Sequence, residues 1–294
     1  MMNGPVVVGV DGSTSALAAV EIAAREARLR GVGLQVVHAF IWPSLHVSLG
    51  PSPVGPADGG LRNAADKLLS EAVARARETE PGVEVTEHLV TGEPLTVLEA
   101  RSREASLVVV GSRGMGGFIG LLVGSTAVHL AAHGRCPVLV VRGDAGATGS
   151  VVVAVDGSPQ GDAAVGFAFA EASARGVDLV AVHAWNTWTE RGDDDPGHPQ
   201  NLVDGIDRMR SAEERLLAEA LSGWQDRYPD VTVHRRLVEN RIRQALIEAT
   251  EQAQLIVVGA RGRGGFTGLL LGSVSQALLH HGHCPVAVVR GDVS

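Results

Sequence analysis

The 294-residue sequence predicts an α/β fold made of two repeated, doubly wound domains. Segments recur along the chain: VVVGVDGS (6–13) returns as VVVAVDGS (151–158), and CPVLVVRGD (136–144) returns as CPVAVVRGD (284–292). Near-continuous apolar strands alternate with helical periods in each copy, which is typical of parallel sheets covered by helices. We therefore predict domains over 1–143 and 150–294, each a five-stranded parallel sheet in the order 3-2-1-4-5 with helices on both faces.

The elements of the first copy follow from hydrophobic periodicity. The helix over 14–30 is expected to bury Ala, Leu, Val and Ile and to expose Glu and Arg, and the alternating pattern over 83–90 predicts an edge strand. Two long segments, 41–60 and 186–205, exceed ordinary connection lengths and predict a lid or mobile loop. The predicted strands span 5–10, 33–40, 83–90, 106–110 and 137–142, and the predicted helices span 14–30, 57–79, 93–103 and 125–133.

Composition narrows the function classes. The chain is 45% hydrophobic and 20% charged, as in ordinary globular proteins, and its net charge of −8 argues against nucleic-acid binding. No apolar run is long enough for a membrane span and no signal peptide is visible, so we expect a cytoplasmic protein with no membrane partner. Cys136 and Cys284 are expected to be small buried residues. A P-loop needs a lysine, and the one lysine of the chain, Lys67, lies far from either glycine-rich segment.

A glycine-rich segment occurs in both copies: GSRGMGGFIGLLVGST (111–126) and GARGRGGFTGLLLGSVS (259–275). Both fit the spacing Gly-x2-Gly-x9-Gly-Ser, and each lies between an apolar strand and a helical pattern. Glycine turns at a helix N-terminus expose backbone N–H groups that hold phosphates. In the predicted strand order, Asp11 at the end of the first strand and Gly111 at the end of the fourth meet where ligands bind.

These motifs, with the strand VVHA and the closing CPVLVVR, resemble a universal stress protein domain of the ATP-binding subclass, so the chain looks like a tandem universal stress protein. The resemblance implies one ATP per domain, with Asp11 and Asp156 facing the nucleotide and the backbone of Ala39 and Ala184 contacting the adenine edge. No metal ligands are implied directly, although Mg²⁺ is expected near the two aspartates through ATP. The implied nucleotide-binding residues of the first copy are Gly9, Asp11, Ala39, Val110, Gly111, Arg113, Gly114, Met115, Gly116, Gly117, Gly124, Ser125 and Thr126. Those of the second copy are Ala154, Asp156, Ala184, Val258, Gly259, Arg261, Gly262, Arg263, Gly264, Gly265, Gly272, Ser273, Val274 and Ser275.

Several of these residues have alternative interpretations. Ser125 and Ser273 are placed as helix N-caps or as hydroxyl donors. Asp11 is either a ligand-facing carboxylate or an N-cap, although Ser13 or Thr14 can fill the N-cap role. The arginines of the two loops either add positive charge or face solvent, and the extra arginine of the second copy, Arg263, is expected to add charge near the phosphates.

The sequence also offers an interpretation of the histidines and of the differences between the two copies. His38 and His183 are interpreted as core residues or as residues that support the binding residues from behind. The run of histidines before Cys284 matches no zinc-site spacing. The second copy has Ala154, Ala260 and Val274 in place of Gly9, Ser112 and Thr126, so the two sites need not bind equally well.

The pattern favours a binding module over an enzyme, because no P-loop lysine and no repeated catalytic set accompanies the aspartate. A slow ATP hydrolase or nucleotide-transfer enzyme on the same fold is the alternative. A dinucleotide-dependent oxidoreductase is disfavoured because the first strand leads into Asp-Gly-Ser. The closing strands are predicted sheet edges, and the resemblance implies that such strands pair domains within a chain or in a homodimer. The sequence identifies no protein partner.

Overall fold

The computed structural model describes residues 4–40, 57–114, 123–143, 148–185, 199–239, 241–263 and 270–291. Within this part of the chain it contains helices and parallel strands in alternation. The chain divides into two units, Met1–Arg142 and Gly143–Ser294, which are described separately below.

The first unit has the predicted architecture. Its strands follow the order β3-β2-β1-β4-β5, and every pair is parallel, which confirms the predicted sheet. Because β1 and β4 are neighbours, the turns that follow them lie at the same edge of the sheet. The elements are β1 (Val6–Gly9), α1 (Thr14–Arg30), β2 (Leu34–Phe40), α2 (Ala57–Thr79), β3 (Val85–Thr91), α3 (Pro94–Arg101), β4 (Leu107–Gly111), α4 (Ser125–His133) and β5 (Val138–Val141).

The second unit repeats this arrangement with parallel strands in the order β8-β7-β6-β9-β10. Its elements are β6 (Ser150–Ala154), α5 (Pro159–Arg175), β7 (Leu179–Trp185), α6 (Pro199–Arg227), β8 (Val233–Glu239), α7 (Ile242–Ala249), β9 (Ala253–Gly259), α8 (Ser273–His281) and β10 (Val286–Val289). The helix after β7 is longer than its counterpart in the first unit, with 29 residues against 23.

The first helix of each unit is fixed at both ends by local chemistry. The Ser13 hydroxyl accepts the Ala16 N–H at 3.1 Å, and the Ser158 hydroxyl accepts the Gly161 N–H at the same distance. Both helices end at a glycine in the left-handed conformation, with φ of 65° at Gly31 and 63° at Gly176. Glycine adopts this conformation without the steric cost of a Cβ, which explains the end point of each helix.

The expectation that the glutamates of α1 face outward is wrong for Glu26, which is 2% exposed. Position 26 lies three residues after the buried Ala23 and so falls on the same face of the helix. Its carboxylate pairs with the Arg30 guanidinium at 3.1 Å. The second unit repeats the arrangement with an ion pair between Arg175 and the buried Glu171. A repeated buried ion pair is therefore part of the core, which hydrophobic periodicity does not reveal.

The helices of each unit pack in two pairs. In the first unit α1 packs against α2 and α3 packs against α4, and the second unit has the same pairs, α5 with α6 and α7 with α8. Right-handed crossovers in a sheet of this order put the two pairs on opposite faces.

Among the described residues, no helix is both long and apolar enough to cross a membrane.

The thiol of Cys136 is expected to resist alkylation in the folded protein. Cys136 is 5% exposed, and burial raises the pKa of its thiol to about 12. The reactive thiolate is therefore scarce at neutral pH. Iodoacetamide at pH 7.5 should leave Cys136 unmodified in the native protein and modify it after denaturation, as measured by peptide mass spectrometry. Rapid native labelling would contradict the buried environment.

Candidate functional site

A cavity of about 480 Å³ lies at the carboxyl edge of the first sheet, and we call it the first crevice. It is bounded by the ends of β1, β2 and β4 and by the first turns of α3 and α4. The predicted residues that line it are Gly9, Asp11, Ala39, Val110, Gly111, Arg113, Gly114, Gly124, Ser125 and Thr126. Met115, Gly116, Gly117, Gly264 and Gly265 lie outside the described residues. The structure thus brings together residues from four separate parts of the sequence.

Asp11 lies between the β1–α1 turn and the glycine-rich loop. Its Oδ1 accepts the Ser13 N–H at 3.0 Å, and because Ser13 is the N-cap of α1, Asp11 is not. A Cβ added to Gly114 would lie 2.4 Å from the Asp11 Oδ2, which is closer than real Cβ contacts allow. A larger residue here would force the carboxylate or the loop to shift, and glycine allows this close approach.

The second unit has the same arrangement around Asp156. Its Oδ1 accepts the N–H and the hydroxyl of Ser158 at 3.0 and 2.7 Å. Its Oδ2 accepts the backbone N–H of Arg263 at 2.8 Å, and a Cβ on Gly262 would lie 2.5 Å from that oxygen. We call the region at the ends of β6, β7 and β9 and the start of α8 the second crevice. In both units an aspartate after the first strand contacts the glycine-rich loop, as the strand order predicts.

Two serines at the start of α1, which are not among the implied nucleotide-binding residues, also contact the loop. A Cβ on Gly111 would lie 2.4 Å from the Ser15 Oγ. The Ser13 hydroxyl lies 3.3 Å from the Arg113 carbonyl oxygen, and the Arg113 N–H points to the Ser15 Oγ at 3.4 Å. These contacts hold the backbone of the loop against the start of α1. The run of small hydroxyl residues after Asp-Gly was the available signal for them.

The interpretation of Ser125 and Ser273 as N-caps is wrong. The N-caps of α4 and α8 are Gly124 and Gly272, whose φ and ψ are −73° and 152°, and −72° and 159°. The backbone of each glycine is extended, so the helix begins one residue later, at Ser125 or Ser273. No side chain caps either helix within the described part of the chain. The N–H groups of the first turn of α4 therefore face the first crevice as hydrogen-bond donors for an anion.

The extra arginine of the second copy, Arg263, lies over the β6–α5 turn. The Arg263 Nη2 lies 3.0 Å from the place of a Cβ on Gly157, beside Leu216 of α6. There it lines a cavity of about 520 Å³ between the β6–α5 turn and α6, which Asp156, Arg215 and Glu219 also line. The charge that Arg263 is expected to add near bound phosphates stays a prediction.

The histidines of the second strands serve a structural role, as predicted. The Nδ1 of His38 lies 2.7 Å from the Val10 carbonyl oxygen, so the ring links the end of β2 to the residue after β1. His183 makes the same contact with Val155 at 2.6 Å. In addition, its Nε2 lies 2.7 Å from the Glu213 Oε2 on α6. In each unit this histidine contact thus holds the carboxyl ends of the first and second strands together.

Comparison with known proteins agrees with the repeat. The sequence model of the universal stress protein family matches residues 2–142 and again 148–290. A universal stress protein of Mycolicibacterium smegmatis is 39% identical over 300 residues, covering 97% of this chain and 96% of its own length. One from Mycobacterium tuberculosis is 40% identical over 305 residues, with 97% and 96% covered. The crystal structure of a universal stress protein from Archaeoglobus fulgidus superposes with a TM-score of 0.66 at 19% identity, covering 98% of this chain and 99% of its own, which shows a shared fold.

Proposed function

The chain belongs to the universal stress protein family, and from this premise we propose that it is a cytoplasmic regulatory protein that binds one ATP in each crevice. One observation carries the proposal. Asp11, the backbone of Gly111–Gly114 and the uncapped first turn of α4 line a single cavity. Its volume of about 480 Å³ lies in the range of pockets that hold small ligands.

The chemistry of the first crevice suits a nucleotide. At one end, glycine backbone and the N–H groups of α4 provide donors for phosphate oxygens. At the other end, Ala39 at the end of β2 presents backbone polar groups for an adenine edge, and Val37 and Val110 provide apolar contact. The Asp11 carboxylate would repel a triphosphate directly. A Mg²⁺ ion, which is usually held by one or two carboxylates and by phosphate oxygens, fits this donor set.

Binding rather than turnover is part of the proposal. Among the described residues that line the first crevice, Asp11 supplies the carboxylate, and neither a lysine nor a second acidic residue is present. His38 is also at the lining, but its Nδ1 is engaged by the Val10 carbonyl oxygen. The proposal assigns the one carboxylate to the metal and the nucleotide, which leaves no further carboxylate or lysine of this lining for proton transfer.

Purified protein is expected to retain adenine nucleotide. Protein prepared without added nucleotide should show excess absorbance near 260 nm, and chromatography after acid release should identify ATP. Nucleotide-stripped protein should bind ATP with Mg²⁺ in calorimetry, with a weaker signal when Mg²⁺ is chelated. A folded preparation that neither retains nor binds any adenine nucleotide would disprove the proposal, and rapid phosphate release from ATP would favour the enzyme instead.

A further inference from the structure

The wall of the second crevice carries a methyl group that the first lacks. Gly9 is the last residue of β1 and pairs with Val37, and Ala154 takes the same place in β6 opposite Val182. A Cβ on Gly9 would lie 2.7 Å from the Leu98 Cδ1, and both residues line the first crevice. In the first unit Leu98 therefore packs against this strand end in the room that a Cβ would take. Ala154 carries that Cβ in the second unit, so a side chain cannot pack as closely against the strand end there.

A second difference lies where the helix after the glycine-rich loop begins. The third residue of α4 is Ala127, which lines the first crevice, and the third residue of α8 is Ser275. The Ser275 hydroxyl donates to the Gly259 carbonyl oxygen at 2.7 Å and lies 3.3 Å from that of Ala260. This bond joins the first turn of α8 to the end of β9. Ala127 has no hydroxyl, so the start of α4 cannot make this bond in the first unit.

The adenine end also differs between the units. Ala39 and Phe40 at the end of β2 are half-buried, whereas Ala184 and Trp185 at the end of β7 are 8% and 5% exposed. In the second unit the longer helix α6 reaches this strand through Glu213, which contacts the His183 ring at 2.7 Å. The strand end that would contact adenine is thus more accessible in the first unit.

We propose that the two crevices are unequal sites, in which the first unit is the primary nucleotide site and the second fills only at higher nucleotide concentration. The inference rests on the proposed function. The differences at Ala154 and at the end of β7 reduce space or access in the second unit, and the Ser275 bond ties the start of α8 to β9 there. Val274 also removes the hydroxyl that Thr126 offers in the first. One misplaced methyl-sized group in a pocket changes affinity by about ten- to two-hundredfold.

Calorimetric titration of the stripped full-length chain with MgATP tests the inference. The wild type should bind MgATP in two steps, a tight step and a weak step whose dissociation constant is at least about tenfold larger. The double variant Ala154→Gly and Ser275→Ala gives the second unit the residues of the first. It should raise the affinity of the weak step toward that of the tight step. The reverse exchange, Gly9→Ala, should weaken the tight step. The first result is a gain of affinity, which misfolding cannot produce.

Blocking one crevice at a time assigns the two steps. Gly114→Ala should remove the tight step and leave the weak one, and Gly262→Ala should do the opposite, because each Cβ would collide with its own aspartate. Two equal steps in the wild type, or loss of the tight step in Gly262→Ala, would overturn the inference and leave the proposed function standing. Absence of both steps with every adenine nucleotide would overturn the proposed function itself.

Discussion

Replacement of Gly114 by alanine is expected to weaken ATP binding by the first unit about a hundredfold or more, which corresponds to about 2.7 kcal/mol. The new Cβ would lie 2.4 Å from the Asp11 Oδ2, so either the carboxylate or the loop must move. The carboxylate is held by the Ser13 N–H at 3.0 Å, and the loop is held near Ser13 and Ser15. Displacement of either one separates the carboxylate from the loop backbone that we propose to bind phosphate. Calorimetry with MgATP measures the loss.

Two other glycines of the first unit provide controls. Gly82 is exposed, and nothing lies within 4 Å of a Cβ built on it, so Gly82→Ala should bind like the wild type. Gly124 has an extended backbone and its built Cβ would lie 3.7 Å from its nearest neighbour. Gly124→Ala makes no such clash, so it reports on the crevice-lining start of α4 rather than on the contact with Asp11. Unchanged affinity in Gly114→Ala would show that the contact between this loop and Asp11 is not part of the binding site.

The position of the site could be predicted because it depends on strand order. A parallel sheet of order 3-2-1-4-5 places the ends of the first and fourth strands side by side, and the structure pairs Val8 of β1 with Val109 of β4. The turns that contain Asp11 and Gly111 are then neighbours regardless of side-chain detail. The repeat adds an independent check, because the contact of Asp156 with the loop recurs in the second unit.

Details that depend on one dihedral angle or on one helix face were not predictable in this way. Whether Gly124 or Ser125 caps α4 depends on which residue leaves the helix, and both types are common at helix starts. The direction of the Arg263 side chain depends on the packing of α6, which lies far away in the sequence. The burial of Glu26 depends on its partner Arg30, because a charge is tolerated inside only when it is paired.

Replacement of Glu26 by alanine is expected to destabilise the protein by about 3–5 kcal/mol, because it leaves the Arg30 guanidinium buried without this carboxylate. The two side chains are 3% and 14% exposed and lie 3.1 Å apart, so water replaces the lost partner poorly. Denaturation in guanidinium chloride, followed by circular dichroism, measures the change in the free energy of unfolding. Glu171→Ala should have a similar effect, since Glu171 forms the equivalent ion pair with Arg175.

Glu21 of the same helix offers a matched comparison, because it pairs with Arg75 at 2.7 Å while its side chain is 28% exposed. Glu21→Ala should cost about 1 kcal/mol or less, as exposed ion pairs do. If burial of the remaining charge is the cause, then replacing both partners, with Glu26→Leu and Arg30→Met, should restore most of the stability that Glu26→Ala loses. Equal losses in Glu26→Ala and in the double variant would instead mean that the ion pair itself stabilises the core. The buried pair would then be a net source of stability in each unit.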